Sequence, residues 1–240
     1  VGNLETTLFV VPARGGSKGI PNKNLREIHG KSLTEWALIV ARQFGGARVA
    51  LSSDSDEILA VADRHPSVIG IKRPDEISKD TSTDQEVLSH ALHHVESTQG
   101  LCIETIVMLQ PTAPSRSVQL VQRALEIVFS EEASAVWSVD EVDLKVHARK
   151  QLTLEDSGEL RLTIPSRVPL RRQDLSMTYV RNGECYALSR DVVLGDPLLL
   201  GPNARMLLSQ PGGVNIDTPQ DLIRAEEKLK IGPDGSLVRR

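Results

Sequence analysis

Cysteine is nearly absent. Only Cys102 and Cys185 occur in 240 residues, with no Cys-x-x-Cys, which excludes a disulfide framework and a zinc module. Both are expected to be small buried apolar residues in a reducing compartment. Aromatic residues make up 3% of the chain, too few to build stacking platforms for single-stranded nucleic acid. A basic surplus is also lacking: 28 Lys and Arg stand against 32 Asp and Glu, a formal net charge of −4. Without excess cations to neutralise phosphates, no nucleic-acid partner is expected. The longest apolar runs, 8–11 and 37–41, fall far short of the roughly 20 residues of a membrane span. No charged segment precedes a long apolar one, so neither a signal peptide nor a membrane partner is expected, and the chain reads as a cytoplasmic globular protein.

What is present is an alternation. Apolar runs of strand length at 7–11, 47–51, 67–71, 105–109 and 133–139 are separated by segments of helical period at 33–44, 54–64, 83–95 and 118–129. Apolar strands alternating with amphipathic helices predict an α/β fold, a doubly wound and mostly parallel sheet covered on both faces. The rhythm breaks after Asp140. Short β-like pieces flank Asp156-Ser157-Gly158, a hairpin turn signal, so about 140–170 is expected to project from the sheet. Short strands return at 184–188, 204–208 and 214–216, and 219–230 closes the domain as a helix with Thr218 as N-cap. One domain over 1–231 is expected, with 232–240 as a frayed tail.

The chemistry concentrates in loops. Pro12-Ala13-Arg14-Gly15-Gly16-Ser17-Lys18-Gly19 runs on to Lys23 and Asn24 directly after the first strand. Its glycines permit close backbone approach, and Arg14, Lys18 and Lys23 add three cations, a combination suited to a polyphosphate. The spacing is neither a P-loop nor G-x-G-x-x-G. Asp54-Ser55-Asp56 is a D-x-D that admits a metal clamp, as in metal-dependent glycosyltransferases. The simpler reading is a helix N-terminus with Ser53 as N-cap. Arg73 and the hydroxyl-rich stretch Ser82-Thr83 lie where α/β sheets bind ligands. Gln110 stands in a loop stiffened by Pro111 and Pro114. Asn215 and Asp217 share one face of a short segment, where a carboxylate can take part in holding Mg²⁺.

Taken in order, PARGGSKGIPNKN at 12–24, LQPTAPSR at 109–116, RRQDL at 171–175, RNG at 181–183 and NIDTPQDL at 215–222 resemble the acylneuraminate cytidylyltransferases, the CMP-sialic acid synthetases. The likeness runs from Leu8 to about Leu229. It implies a CTP- and Mg²⁺-dependent enzyme, expected as a homodimer through the 140–170 segment, that joins CMP to a nonulosonic acid and releases pyrophosphate. An octulosonate or phosphonate is the nearest alternative acceptor. By the same resemblance Arg14, Ser17, Lys18, Lys23 and Asn24 hold the triphosphate, and the backbone at Pro12 and Ala13 together with Arg73, Ser82 and Thr83 meets the cytidine. Gln110 faces the reacting centre. Lys145, reaching a neighbouring subunit's site, and Arg172 meet the acidic sugar, and Asp217 binds the metal. Two positions depart from the family pattern. Asn215 stands where the family carries Asp, so it brings no charge and cannot act as a base. Glu184-Cys185 replaces a small apolar pair after Asn-Gly, and its charge is expected to alter the acceptor pocket.

Overall fold

The computed structural model describes residues 3–17, 19–130, 133–165 and 171–240. In chain order the elements are β1 (Thr7–Pro12), β2 (Glu27–Ile28), β3 (Lys31–Ser32), α1 (Leu33–Ala41), β4 (Arg48–Ser53), α2 (Asp56–Asp63), β5 (Val68–Lys72), α3 (Asp84–Gln99), β6 (Thr105–Met108), α4 (Val118–Phe129) and β7 (Ala135–Glu141). They continue with β8 (Leu152–Leu154), β9 (Leu160–Leu162), β10 (Tyr179–Ser189), α5 (Arg190–Gly195), β11 (Arg205–Leu208), α6 (Pro219–Lys228), β12 (Leu229–Ile231) and β13 (Leu237–Arg239).

Seven strands form one sheet in the order β11-β7-β10-β6-β1-β4-β5. All pair in parallel except β10, which runs antiparallel to both β6 and β7. Period-two alternation along β1 explains the two layers. Phe9 and Val11 point to the face covered by α1, α2 and α4, and Leu8 and Val10 to the face covered by α3 and α5. The helices start where the sequence offers caps. Thr83 and Glu86 form a reciprocal capping box at α3, whose Val87, Leu88, Ala91, Leu92 and Val95 are buried, and Gly100 ends it in the left-handed region. Thr218 and Asp221 cap α6 in the same way.

Four expectations need correction. Residues 232–240 are not a frayed tail: β13 pairs antiparallel with β12 across a turn in which Gly235 has φ 75°. Residues 214–216 alternate in burial but pair with no strand. Ser55 rather than Ser53 caps α2, accepting from the Ile58 amide, while the Ser53 hydroxyl accepts from the Ser55 amide. Cys185 is buried, but Cys102 is exposed. Among the described residues no helix is long and apolar enough to cross a membrane.

Candidate active site

The chain enters the sheet at β1, moves outward through β4 and β5, and returns by α3 to place β6 on the other side of β1. This switch point leaves a crevice at the carboxyl ends of the strands, the usual ligand position in such sheets. A cleft of about 340 Å³ lies there, lined by Pro12, Arg14, Lys23, Asn24, Arg73, Ser82, Thr83, Gln110, Asn215 and Asp217. The loops after β1, β5 and β6 therefore converge with the segment before α6, although these stretches are far apart in sequence.

Local contacts fix each group. The Asn24 amide donates to the Arg14 carbonyl at 2.9 Å, and the Thr34 hydroxyl of α1 donates to the Asn24 carbonyl at 2.9 Å. The Gly15 amide donates to Asp54 Oδ1 at 2.8 Å, pinning the glycine loop to the end of β4. At Gly19 a Cβ would lie 2.6 Å from the Asp217 carbonyl oxygen, so this crossing of the two loops requires glycine. Arg73 is buried: its amide donates to the Ser53 carbonyl at 2.7 Å, and Nη2 donates to the Ser52 carbonyl at 2.9 Å. Burial lowers its pKa, with Arg14 acting in the same direction and the Asp54 and Asp84 carboxylates opposing them. Gly183, with φ 75°, sits against the Gln110 side chain, whose backbone amide donates to the Gly183 carbonyl at 3.3 Å.

The charges are arranged in pairs. Arg14 pairs with Asp80, and Lys23 Nζ donates to Asp217 Oδ1 at 2.9 Å. Asn215 Nδ2 donates to Asp217 Oδ2 at 3.4 Å. The Lys23 side chain is 16% exposed, whereas that of Asp217 is 66% exposed and open to the cleft. One carboxylate and a neighbouring amide match what Mg²⁺ takes from a protein when phosphate oxygens and waters complete its shell. Among the described residues no group of three or more His, Cys, Asp or Glu could hold a metal ion, so this donor set fits Mg²⁺ only alongside a phosphorylated ligand.

The other expected site residues divide clearly. Ala13 is fully buried in the core and does not line the cleft, its amide donating to the Ser52 carbonyl at 2.9 Å. Ser17 is half-buried and does not line the cleft, and Lys18 lies outside the described residues. Lys145 and Arg172 are exposed and are not brought to the cleft of their own chain. Glu184 also corrects its expectation. It is 3% exposed, does not line the cleft, and pairs with Arg239 at 2.6 Å. Of the D-x-D, Asp54 accepts from the Gly15 amide and Asp56 from Lys72 Nζ at 2.6 Å, and neither carboxylate lines the cleft. Sequence reasoning missed Lys79, which lines the same cleft together with Asp80 and Asp84 of the polar loop around Ser82-Thr83. Asp84 is the first residue of α3. Its burial raises its pKa against the lowering effect of Arg181 and Arg73.

A family model described as cytidylyltransferase matches residues 8–182. The chain is similar to a pseudaminic acid cytidylyltransferase of Campylobacter jejuni, 26% identical over 232 residues that span 96% of this chain and 99% of the relative. It is likewise similar to a CMP-N,N'-diacetyllegionaminic acid synthase of Legionella pneumophila, 26% identical over 236 residues, 95% of this chain and 97% of the relative. A solved CMP:2-keto-3-deoxy-manno-octonic acid synthetase complexed with CTP superposes with a TM-score of 0.67 over 91% of this chain and 97% of its own. At 20% identity that likeness shows a shared fold.

Proposed function

Because the chain belongs to the cytidylyltransferase family, we propose that it joins CMP from CTP to a nonulosonic acid and releases pyrophosphate. The carrying observation is the convergence of Arg14, Lys23, Arg73 and Asp217 on one cleft at the strand ends. In the reaction the sugar's anomeric hydroxyl forms a bond to the α-phosphorus while the α–β phosphoanhydride bond breaks. Arg14 and Lys23 exchange their carboxylate partners for triphosphate oxygens and offset the charge that grows on the leaving pyrophosphate. Arg73, fixed on the end of β4, and the Ser82-Thr83 turn face the cytidine. Gln110 orients the acceptor. Mg²⁺, held by Asp217 with Asn215 beside it, would stabilise negative charge on the phosphate oxygens. Asn215 cannot take the hydroxyl proton, which leaves that step to solvent or substrate.

The acceptor side is completed, on this reading, by a second copy of the chain. The segment that carries Lys145 includes the β8–β9 hairpin, with Leu152, Leu154 and Leu160 all exposed. A homodimer covering these leucines would bring Lys145 to the partner's cleft. Leu154→Glu should then yield monomer by light scattering and lose turnover, and a Leu154→Glu protein that stays dimeric would remove this hairpin from the interface.

The test of function is pyrophosphate release from CTP with a panel of nonulosonic acids, an octulosonate and a phosphonate. Turnover is expected with CTP and an acidic sugar, with strong discrimination against UTP because a cytosine-reading site leaves groups unpaired on uracil. No release with any acceptor, or comparable rates with UTP, would overturn it.

A further inference from the structure

Strand β13 does more than close the fold. Period two puts Leu237 and Arg239 on one face. Leu237 is buried in the same cluster as Val214 and Ile216. Arg239 Nη2 donates to Glu184 Oε1 at 2.6 Å, and its Nη1 donates to the carbonyl of Gln210. The same Glu184 oxygen accepts from the Ser115 hydroxyl at 2.8 Å, and that hydroxyl oxygen accepts from the Val214 amide at 3.0 Å. Two residues further on, the Ile216 amide donates to the Thr112 carbonyl at 2.8 Å. A Cβ at Gly213 would lie 2.8 Å from Arg239 Nη2 and 3.2 Å from Glu184 Oε1, so a side chain there would push the guanidinium aside.

The segment 210–216 leads directly to Asn215 and Asp217, and it has no strand neighbour to define its path. Its position comes instead from the ion pair between half-buried Arg239 of β13 and buried Glu184 of β10, and from the loop after β6. We propose that Arg239 is a positioning residue: through Glu184 and Ser115 it holds 210–216 so that Asp217 faces the triphosphate. This rests on the proposed role of Asp217 in holding the metal. It also accounts for the charge at Glu184, which anchors the segment that carries Asp217.

The test uses the full chain as wild type, Arg239→Met and Arg239→Lys. Amide hydrogen exchange of 209–217 is measured against that of β1 and β6, and Mn²⁺ affinity is measured by electron paramagnetic resonance with CTP and no acceptor. Loss of a charge-assisted contact should raise exchange across 209–217 and weaken Mn²⁺ binding by about tenfold or more, with β1 and β6 unchanged. With an accepted sugar, kcat should fall by a similar factor of about ten while KM for CTP moves less than about threefold. Arg239→Lys should recover much of each loss. If Arg239→Met does not fold, the pair Glu184→Gln with Arg239→Met leaves no stranded buried charge and carries the same measurements. A folded variant with unchanged exchange and unchanged Mn²⁺ affinity would overturn the proposal. Wild type that binds no Mn²⁺ with CTP would instead overturn the metal reading, while the exchange measurement still decides the tether.

Discussion

Replacing Lys23 by Met separates its two contacts. In the structure its ammonium holds Asp217 Oδ1 at 2.9 Å, and the carboxylate side of that pair is mostly solvated. Such a pair contributes about 0.2–1 kcal/mol to stability, so Lys23→Met should lower the unfolding free energy by no more than about 1 kcal/mol. Binding a triphosphate is different. There the lysine makes a charge-assisted hydrogen bond to an anion, worth roughly 1.5–3 kcal/mol, so kcat/KM for CTP should fall about 10–100-fold. The freed Asp217 carboxylate adds repulsion towards the phosphates unless a metal covers it, so the defect should be largest at low Mg²⁺. The assay is initial pyrophosphate release against CTP at several Mg²⁺ concentrations, beside a urea unfolding curve. Lys23→Arg, which keeps the charge, should lose less. A folded Lys23→Met protein with wild-type kcat/KM at every Mg²⁺ concentration would show that the cleft cations do not meet the triphosphate.

Three further outcomes follow from the same structure. Asp217→Ala should nearly abolish turnover without rescue by excess Mg²⁺, whereas Asn215→Asp should change the Mg²⁺ dependence of the rate; normal activity in the first, or an unaltered profile in the second, would refute the corresponding assignment. Thr83→Ala removes one half of the α3 capping box and should lower stability by about 1 kcal/mol, read as a shift in denaturation midpoint with an unchanged slope; no shift would mean that the cap contributes nothing. Burial raises the Asp84 pKa, so the folded state holds that proton more tightly; its contribution is complete below the unfolded pKa and is lost as pH rises through the folded one. Asp84→Asn should flatten that fall in the acid range, and an identical pH profile would show that Asp84 is not desolvated.

Much of the fold was legible because periodicity reports burial. From β1 to β7, apart from the short β2–β3 hairpin, largely apolar strands and one-sided helices alternate, and the capping residues mark where α3 and α6 begin. Legibility failed where burial and pairing part company. The alternation Val214-Asn215-Ile216 predicts a strand, yet it arises because Val214 and Ile216 enter the cluster around Trp36 and Leu237 while Asn215 faces the cleft. The β12–β13 hairpin carried a usable signal in Asp234-Gly235, a turn dipeptide between short apolar stretches. Strands of three residues fall below the length at which alternation is persuasive. At the site, motif order singled out Arg14, Lys23, Asn24 and Asp217, which the fold brings to one cleft. The burial of Glu184 was not legible because sequence distance hides its partner: Arg239 is 55 residues away and reaches it only once the hairpin has folded back.

The pairing of charges in the cleft gives Asn215 a physical sense. Arg14 already faces Asp80 and Lys23 already faces Asp217, so the cations that would receive a triphosphate are held in place by carboxylates of the same cleft. An aspartate at 215 would set a second carboxylate against Asp217, where the Asn215 amide now donates to Oδ2 at 3.4 Å. Lys23 alone could not offset both, and their repulsion would favour either a raised pKa for one acid or a further cation. With asparagine the donor neighbouring Asp217 is neutral, and no second carboxylate has to be offset beside it. On the proposed reaction, the cleft thereby spares its cations for the triphosphate and has no carboxylate at 215 to act as base, so removal of the hydroxyl proton would fall to the acceptor and its surrounding water.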